Sequence, residues 1–110
     1  MEAKERELRN YVTADNKEPF QEWIRNLGDS LGRAVIRTRL NRVRMGNLGN
    51  CRSVSGGVCE LKIKFGPGYR VYFGQDGNRI ILLLGGDKSS QVADIKAAKA
   101  FWRDYNAEEN

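Results

Sequence analysis

The residues best suited to chemistry cluster around one turn. Lys62 and Lys64 precede Gly66-Pro67-Gly68, Arg70 and Tyr72 follow it, and Lys88 comes later in a glycine-led loop. Side chains alternate along a strand, so Lys62 and Lys64 share a face, as do Arg70 and Tyr72. If register aligns the two strands, these residues form a concave basic patch with an aromatic in it and Lys88 closing one end. Such a patch suits a phosphate backbone. Arginine offers a planar donor fork, lysine a mobile point charge, and tyrosine a stacking surface or a hydroxyl. The plainer reading of the two lysines is solvated strand charge that blunts an edge. Arg70 stands apart because it abuts a glycine turn and leads into a strand pair expected to be buried.

Other chemistries find less support. The chain contains no histidine, which removes Ser-His and Cys-His nucleophile systems and leaves acid–base work to Lys, Tyr, Asp or Glu. Cys51 and Cys59 fall short of the ligands a zinc site needs, and no metal or cofactor is expected. A two-residue turn at Gly56-Gly57 sets Cys59 opposite Val54 and Cys51 opposite Lys62, a register that argues against a disulfide. Gly66-Pro67-Gly68 lacks the following helix and lysine of a phosphate loop. Gly85-Gly86-Asp87-Lys88 precedes a helix whose N-terminus could rest an anion, a weak signal alone. Arg33, Arg37 and Arg44 recur along one helix with Asn41 between them. Such a run is usually a solvated face; the sharper reading is a docking surface for nucleic acid or an acidic partner.

These residues need elements to hold them. The chain has 110 residues, 40% hydrophobic and 30% charged, with a net charge of +5. That length predicts one domain over 1–110, and the positive excess points to a polyanionic partner. The N-terminus is polar, and the longest aliphatic run, Ile80 to Leu84, is far shorter than the ~18 residues of a membrane span. A cytoplasmic protein with reduced thiols is expected.

Residues 5–13 read as a first strand. Pro19 suits a first helical position, and Phe20, Trp23, Ile24 and Leu27 form one apolar stripe before Gly28. Asp29 or Ser30 can cap a second helix over 31–45, where Leu31 and Val35 widen a stripe of Ile36, Leu40 and Val43. The short link makes the two an αα hairpin. Strand patterns then cover 51–55, 58–65, 69–75 and 79–85. Residues 58–85 form an antiparallel meander, with Glu60, Lys62 and Lys64 on a wet face. An Asp76-Gly77 turn places Arg70 opposite Leu83 and Val71 opposite Leu82. The aliphatic strand from Arg79 is expected to be central. Ser89 or Ser90 can cap a last helix over 91–105, with Ile95, Ala98, Trp102 and Tyr105 buried and 106–110 a frayed acidic tail. The fold class is α+β, ordered β-α-α-β-β-β-α, with helices on one face of an antiparallel sheet.

The run Glu60-Leu61-Lys62-Ile63-Lys64-Phe65-Gly66-Pro67-Gly68-Tyr69-Arg70-Val71-Tyr72-Phe73 resembles the RelE/ParE superfamily of bacterial toxins. It is closest to the phage-derived or addiction-module killer proteins related to HigB. The run Ile80 to Gln91, followed by Asp94-Ile95, carries the same resemblance, which covers about residues 5–105. The resemblance implies a RelE-like fold and a cognate antitoxin, often a helix-turn-helix DNA-binding protein, so that DNA is met only through the antitoxin complex. For the RelE and HigB members it also implies metal-free cleavage of mRNA in the ribosome, by attack of a ribose 2′-hydroxyl on the adjacent phosphate. Arg70 matches the arginine that stabilises the transition-state phosphate. Lys62 and Lys64 resemble the family's basic pair, and Lys88 falls near a second basic position. The tyrosine used by some RelE members has no counterpart, although Asp94 falls near that place and Tyr105 lies further on; the histidines of some HigB members are missing. Three functions stay open: an mRNA interferase that blocks translation, a ParE-like inhibitor of DNA gyrase, and a non-catalytic antitoxin-binding remnant.

Overall fold

In the computed structural model, residues 4–109 are described, Glu109 by its backbone alone. The elements are β1 (Glu7–Asn10), α1 (Pro19–Asn26), α2 (Ser30–Arg44), β2 (Cys51–Ser53), β3 (Val58–Ile63), β4 (Tyr69–Asp76), β5 (Arg79–Gly86) and α3 (Gln91–Glu109), with a 3₁₀ turn at Lys88–Ser90 before α3. One five-stranded sheet runs in the order β1-β5-β4-β3-β2. The α+β class and the β3-β4-β5 meander match expectation. The strand pattern over 51–55 is realised as the short β2, one strand more than the order β-α-α-β-β-β-α counts. The difference in pairing is that β1 lies beside β5 in parallel, so the sheet is mixed.

The larger difference concerns the second face. Phe20, Ile24, Ile36, Leu40 and Val43 of α1 and α2 pack with Leu61, Val71, Phe73, Ile80 and Leu82 on one side. Ala98 and Trp102 of α3 pack with Val58, Tyr72, Ile81 and Leu83 on the other. Helices thus cover both faces rather than one. Alternate residues of β5 enter the two cores, which is why its side chains need be apolar without interruption. At Gly74 a β-carbon would come within 2.4 Å of the Trp102 ring, so a bare backbone there lets α3 lie against the sheet. The face read as wet is dry at Glu60, which is 2% exposed, while Lys62 and Lys64 are exposed as expected.

Local chemistry explains most boundaries. Pro19 opens α1. The Asp29 carboxylate accepts from the Gly32 amide at 2.8 Å and caps α2, with Ser30 already inside the helix. Leu31 does not widen the buried stripe, since in this first turn it faces solvent, 63% exposed. Asp87, not Ser89 or Ser90, caps the turn before α3: its carboxylate accepts from the Ser89 amide, and its own amide donates to Ser90 Oγ, a capping box. The helix then runs on through the stretch expected to fray, to Glu109; Asn110 lies outside the described residues. Among the described residues, no helix is long and apolar enough to cross a membrane.

Two registers differ from expectation. The β2–β3 turn has three residues, Ser55 having joined Gly56 and Gly57 at positive φ, so Cys51 faces Leu61 and Cys59 faces Ser53. Both thiols are free. In the next hairpin the turn is Gly77-Asn78, with Asp76 opposite Arg79, and a bulge at Leu83 adds one residue to β5. Turn and bulge together move Arg70 from Leu83 to Gly86, and Val71 from Leu82 to Gly85.

Candidate functional site

The corrected register lines up two rows across the sheet on the α3 side. One is Lys62, Arg70 and Gly86; the other is Glu60, Tyr72 and Leu84. At the β2 edge Lys62, Arg70 and Glu60 of these rows line a cavity of about 370 Å³ together with Arg52, Lys64 and Gln91. Arg70, Lys62 and Lys64 are thus brought together as the sequence suggests.

Glu60 sits at the centre. Its Oε2 accepts from Tyr72 Oη at 3.0 Å and from Gln91 Nε2 at 2.9 Å, and Oε1 accepts from Arg52 Nε at 2.9 Å. Burial works to raise its pKa, but the hydrogen bonds from Gln91, Arg52 and Tyr72 outweigh it and leave the carboxyl below the usual glutamate range. The group is ionised at neutral pH. Burial, then the carboxylate of Glu60, pushes the Tyr72 hydroxyl far upward, so it remains a donor.

Arg70 leans on the same carboxylate. Its Nε lies 3.6 Å from Glu60 Oε2, an ion pair whose side chains are 5% and 2% exposed. Its Nη1 donates to the Gly68 carbonyl at 2.6 Å. Gly68 has φ +80°, and a β-carbon there would stand 3.2 Å from that nitrogen, so the turn needs glycine for both conformation and space. Buried Nε makes no hydrogen bond. The guanidinium is therefore held in place, with its Nε turned inward toward Glu60 and under-satisfied.

Other expected residues are placed differently. Tyr72 is fully buried and cannot stack on a ligand; it acts behind the site, on Glu60. Lys88 is exposed in the 3₁₀ turn, where its Cβ lies beyond Gly68, outside the cavity lining and so not closing it. Arg37 and Arg44 line a separate depression with Leu8, Phe20 and Asn41, and Arg44 bonds to Asn41 Oδ1 at 2.7 Å. Asp94 accepts from Ser90 Oγ at 2.5 Å against the bare backbone of Gly86, and burial raises its pKa. Tyr105 donates to Asp76 Oδ2 at 2.6 Å and stacks on Trp102, away from the cavity.

Glu60, Arg52 and Gln91 were not singled out from the sequence. Glu60 alternates with Lys62 and Lys64, so its face was legible; its burial was not, because nothing local shows that α3 covers that face. Arg52 becomes visible only once the three-residue turn sets it opposite Glu60.

Fold and site define a small α+β domain with a basic, carboxylate-centred cavity at one sheet edge. The chain is 47% identical over 81 residues to an uncharacterized protein of Haemophilus influenzae, an alignment spanning 73% of this chain and 82% of that protein. It belongs to the same family as that protein. No family model and no solved structure matches the chain.

Proposed function

We propose that this protein is the toxin of a type II toxin–antitoxin system, a RelE/ParE-type endoribonuclease that cuts mRNA on the ribosome in the cytoplasm and is restrained by a cognate antitoxin. One observation carries the reading: Arg52, Lys62, Lys64 and Arg70 converge on one cavity around a single ionised carboxylate. That arrangement suits a phosphodiester with a proton to lose beside it.

The 2′-oxygen attacks phosphorus, forming O2′–P as P–O5′ breaks. The 2′-hydroxyl proton passes to Glu60, whose Oε1 holds only the bond from Arg52, a side chain 64% exposed and free to swing onto the phosphate. Arg70 and the lysines bear the charge gathered on the phosphorane. The leaving 5′-oxygen takes its proton from a lysine ammonium. Products are a 2′,3′-cyclic phosphate and a 5′-hydroxyl.

The test is purified protein added to translating ribosomes. Cleaved mRNA with 2′,3′-cyclic phosphate ends is expected, with Arg70→Ala losing roughly 10²–10³-fold of the rate, the usual effect of removing one transition-state donor. Uncut mRNA would refute the reading, and gyrase-dependent breaks with intact mRNA would replace it with a ParE-like one.

A further inference from the structure

A second concavity, about 550 Å³, adjoins the cavity and shares Asn50, Lys62 and Lys64 with it. It exists because β2 is short. β2 begins at Cys51, opposite Leu61, so Ile63 and Lys64 have no strand beside them on that edge. The loop over 46–50 fills part of the gap. Its Asn50 carbonyl accepts from the Lys62 amide at 3.2 Å, and Arg39 pins it by donating to the Leu48 carbonyl at 2.7 Å. Between loop, strand edge and α2 a groove remains.

Its floor and its rim differ in chemistry. Ala34, Val35 and Ile63 supply apolar surface, while Arg39, Arg42, Lys62 and Lys64 supply charge. None of these four cations forms an ion pair with a carboxylate among the described residues. Burial and the neighbouring charge of Arg42 both lower the pKa of Arg39, as expected for like charges gathered without a counter-charge. Exposed Asn47 and Asn50 also line the groove, where their amides could meet a planar edge carrying donors and acceptors.

Resting on the proposed function, we infer that this groove seats the nucleotide flanking the scissile phosphate. An unpaired base lies on the Ala34, Val35 and Ile63 floor, its phosphate lies over Lys62 and Lys64, and the loop amides contact its edge. The substrate is then single-stranded RNA longer than one nucleotide, since a paired base has its edge occupied and cannot be splayed onto the floor. The loop over 46–50 and the facing turn of α2 set the sequence preference of the cut.

Fluorescence anisotropy with a labelled pentaribonucleotide, and calorimetry with inorganic phosphate as the base-free short probe, test this. Ala34 is exposed on α2, so Ala34→Trp plugs the groove without touching either core. The plug should weaken the pentamer about tenfold, the scale of one lost base contact, and leave phosphate binding unchanged, which also reports an intact fold. Asn47→Ala should flatten the preference among pentamers that differ in the flanking base. An unchanged pentamer affinity in Ala34→Trp, with binding still lost in Arg70→Ala, overturns the groove assignment alone. Wild-type protein that binds neither probe overturns the proposed function with it. Displacement of the pentamer by hexaglutamate at lower concentration than by unlabelled RNA overturns the assignment in favour of an acidic protein partner.

Discussion

Replacing Glu60 tests whether the buried network is the site's framework. Glu60→Ala removes the acceptor of Tyr72 and Gln91 and the counter-charge of Arg70, whose side chain is 5% exposed and whose Nε already lacks a hydrogen bond. Removing one member of a buried ion pair costs ~3–5 kcal/mol, mostly because the remaining charge stays dry. The Arg52 contact adds under about 1 kcal/mol, since that side chain is 64% exposed and water replaces its partner. With a urea slope of about 1.5 kcal/mol/M, the unfolding midpoint should fall by ~2–4 M. Glu60→Leu combined with Arg70→Met should recover most of the loss, because the pair removed together leaves no stranded charge. Urea titration followed by tryptophan fluorescence measures both. A midpoint shift under about 0.5 M for Glu60→Ala, or a double variant as unstable as the two single changes added, would refute the idea that Glu60 and Arg70 depend on each other.

The same carboxylate sets an acid limit. Its folded pKa lies below the ordinary 4.5, so its contribution is complete above that value and is lost as pH falls through the folded one; Glu60→Gln should flatten the fall in melting temperature measured below about pH 4.5. Asp94 has the opposite sign, because burial raises its pKa and its ionised form is the less favourable one. Asp94→Asn should therefore leave the protein as stable or slightly more stable at pH 7, and a clear loss in thermal melts would count against it. Gly74→Ala places a β-carbon 2.4 Å from the Trp102 ring and should cost ~1–3 kcal/mol by overpacking, read by denaturant titration. Lys62→Ala and Lys64→Ala should each lower the salt dependence of RNA binding by ~0.7 in log–log slope, one phosphate contact apiece.

Much of the fold was legible because local rules suffice for it. Pro19, the Phe20–Ile24 stripe, the Asp29 cap and the aliphatic run of β5 each specify their element with near neighbours alone. What the residues did not disclose is tertiary. The path of α3 across the second face depends on Gly74 and Gly86 having no side chains, and strand patterns do not say which face a distant helix will take. Register depended on turns one residue from where glycines suggested, and on a bulge with no mark in the aliphatic run. For the site, Arg70, Lys62 and Lys64 were readable as a cluster. Tyr72 shares the face of Arg70 as the alternation suggests, but α3 covers that part of the face, so its hydroxyl supports Glu60 and its ring meets no ligand.

The burial of Arg70 changes what it can do. A solvated arginine reaches for a phosphate at the cost of its rotamer freedom, up to ~2 kcal/mol. Here Gly68 and Glu60 have fixed the guanidinium before any ligand arrives, so binding orders little. The cost appears elsewhere: a phosphate must share Arg70 with Glu60, and four cations face one carboxylate in the cavity. Weakening that carboxylate should therefore tighten ground-state RNA binding while removing the proton acceptor. Glu60→Gln should bind the pentaribonucleotide more tightly than wild type and cleave mRNA more slowly. A variant that lost binding and cleavage together, while still folded, would mean that Glu60 serves only to hold Arg70 in position.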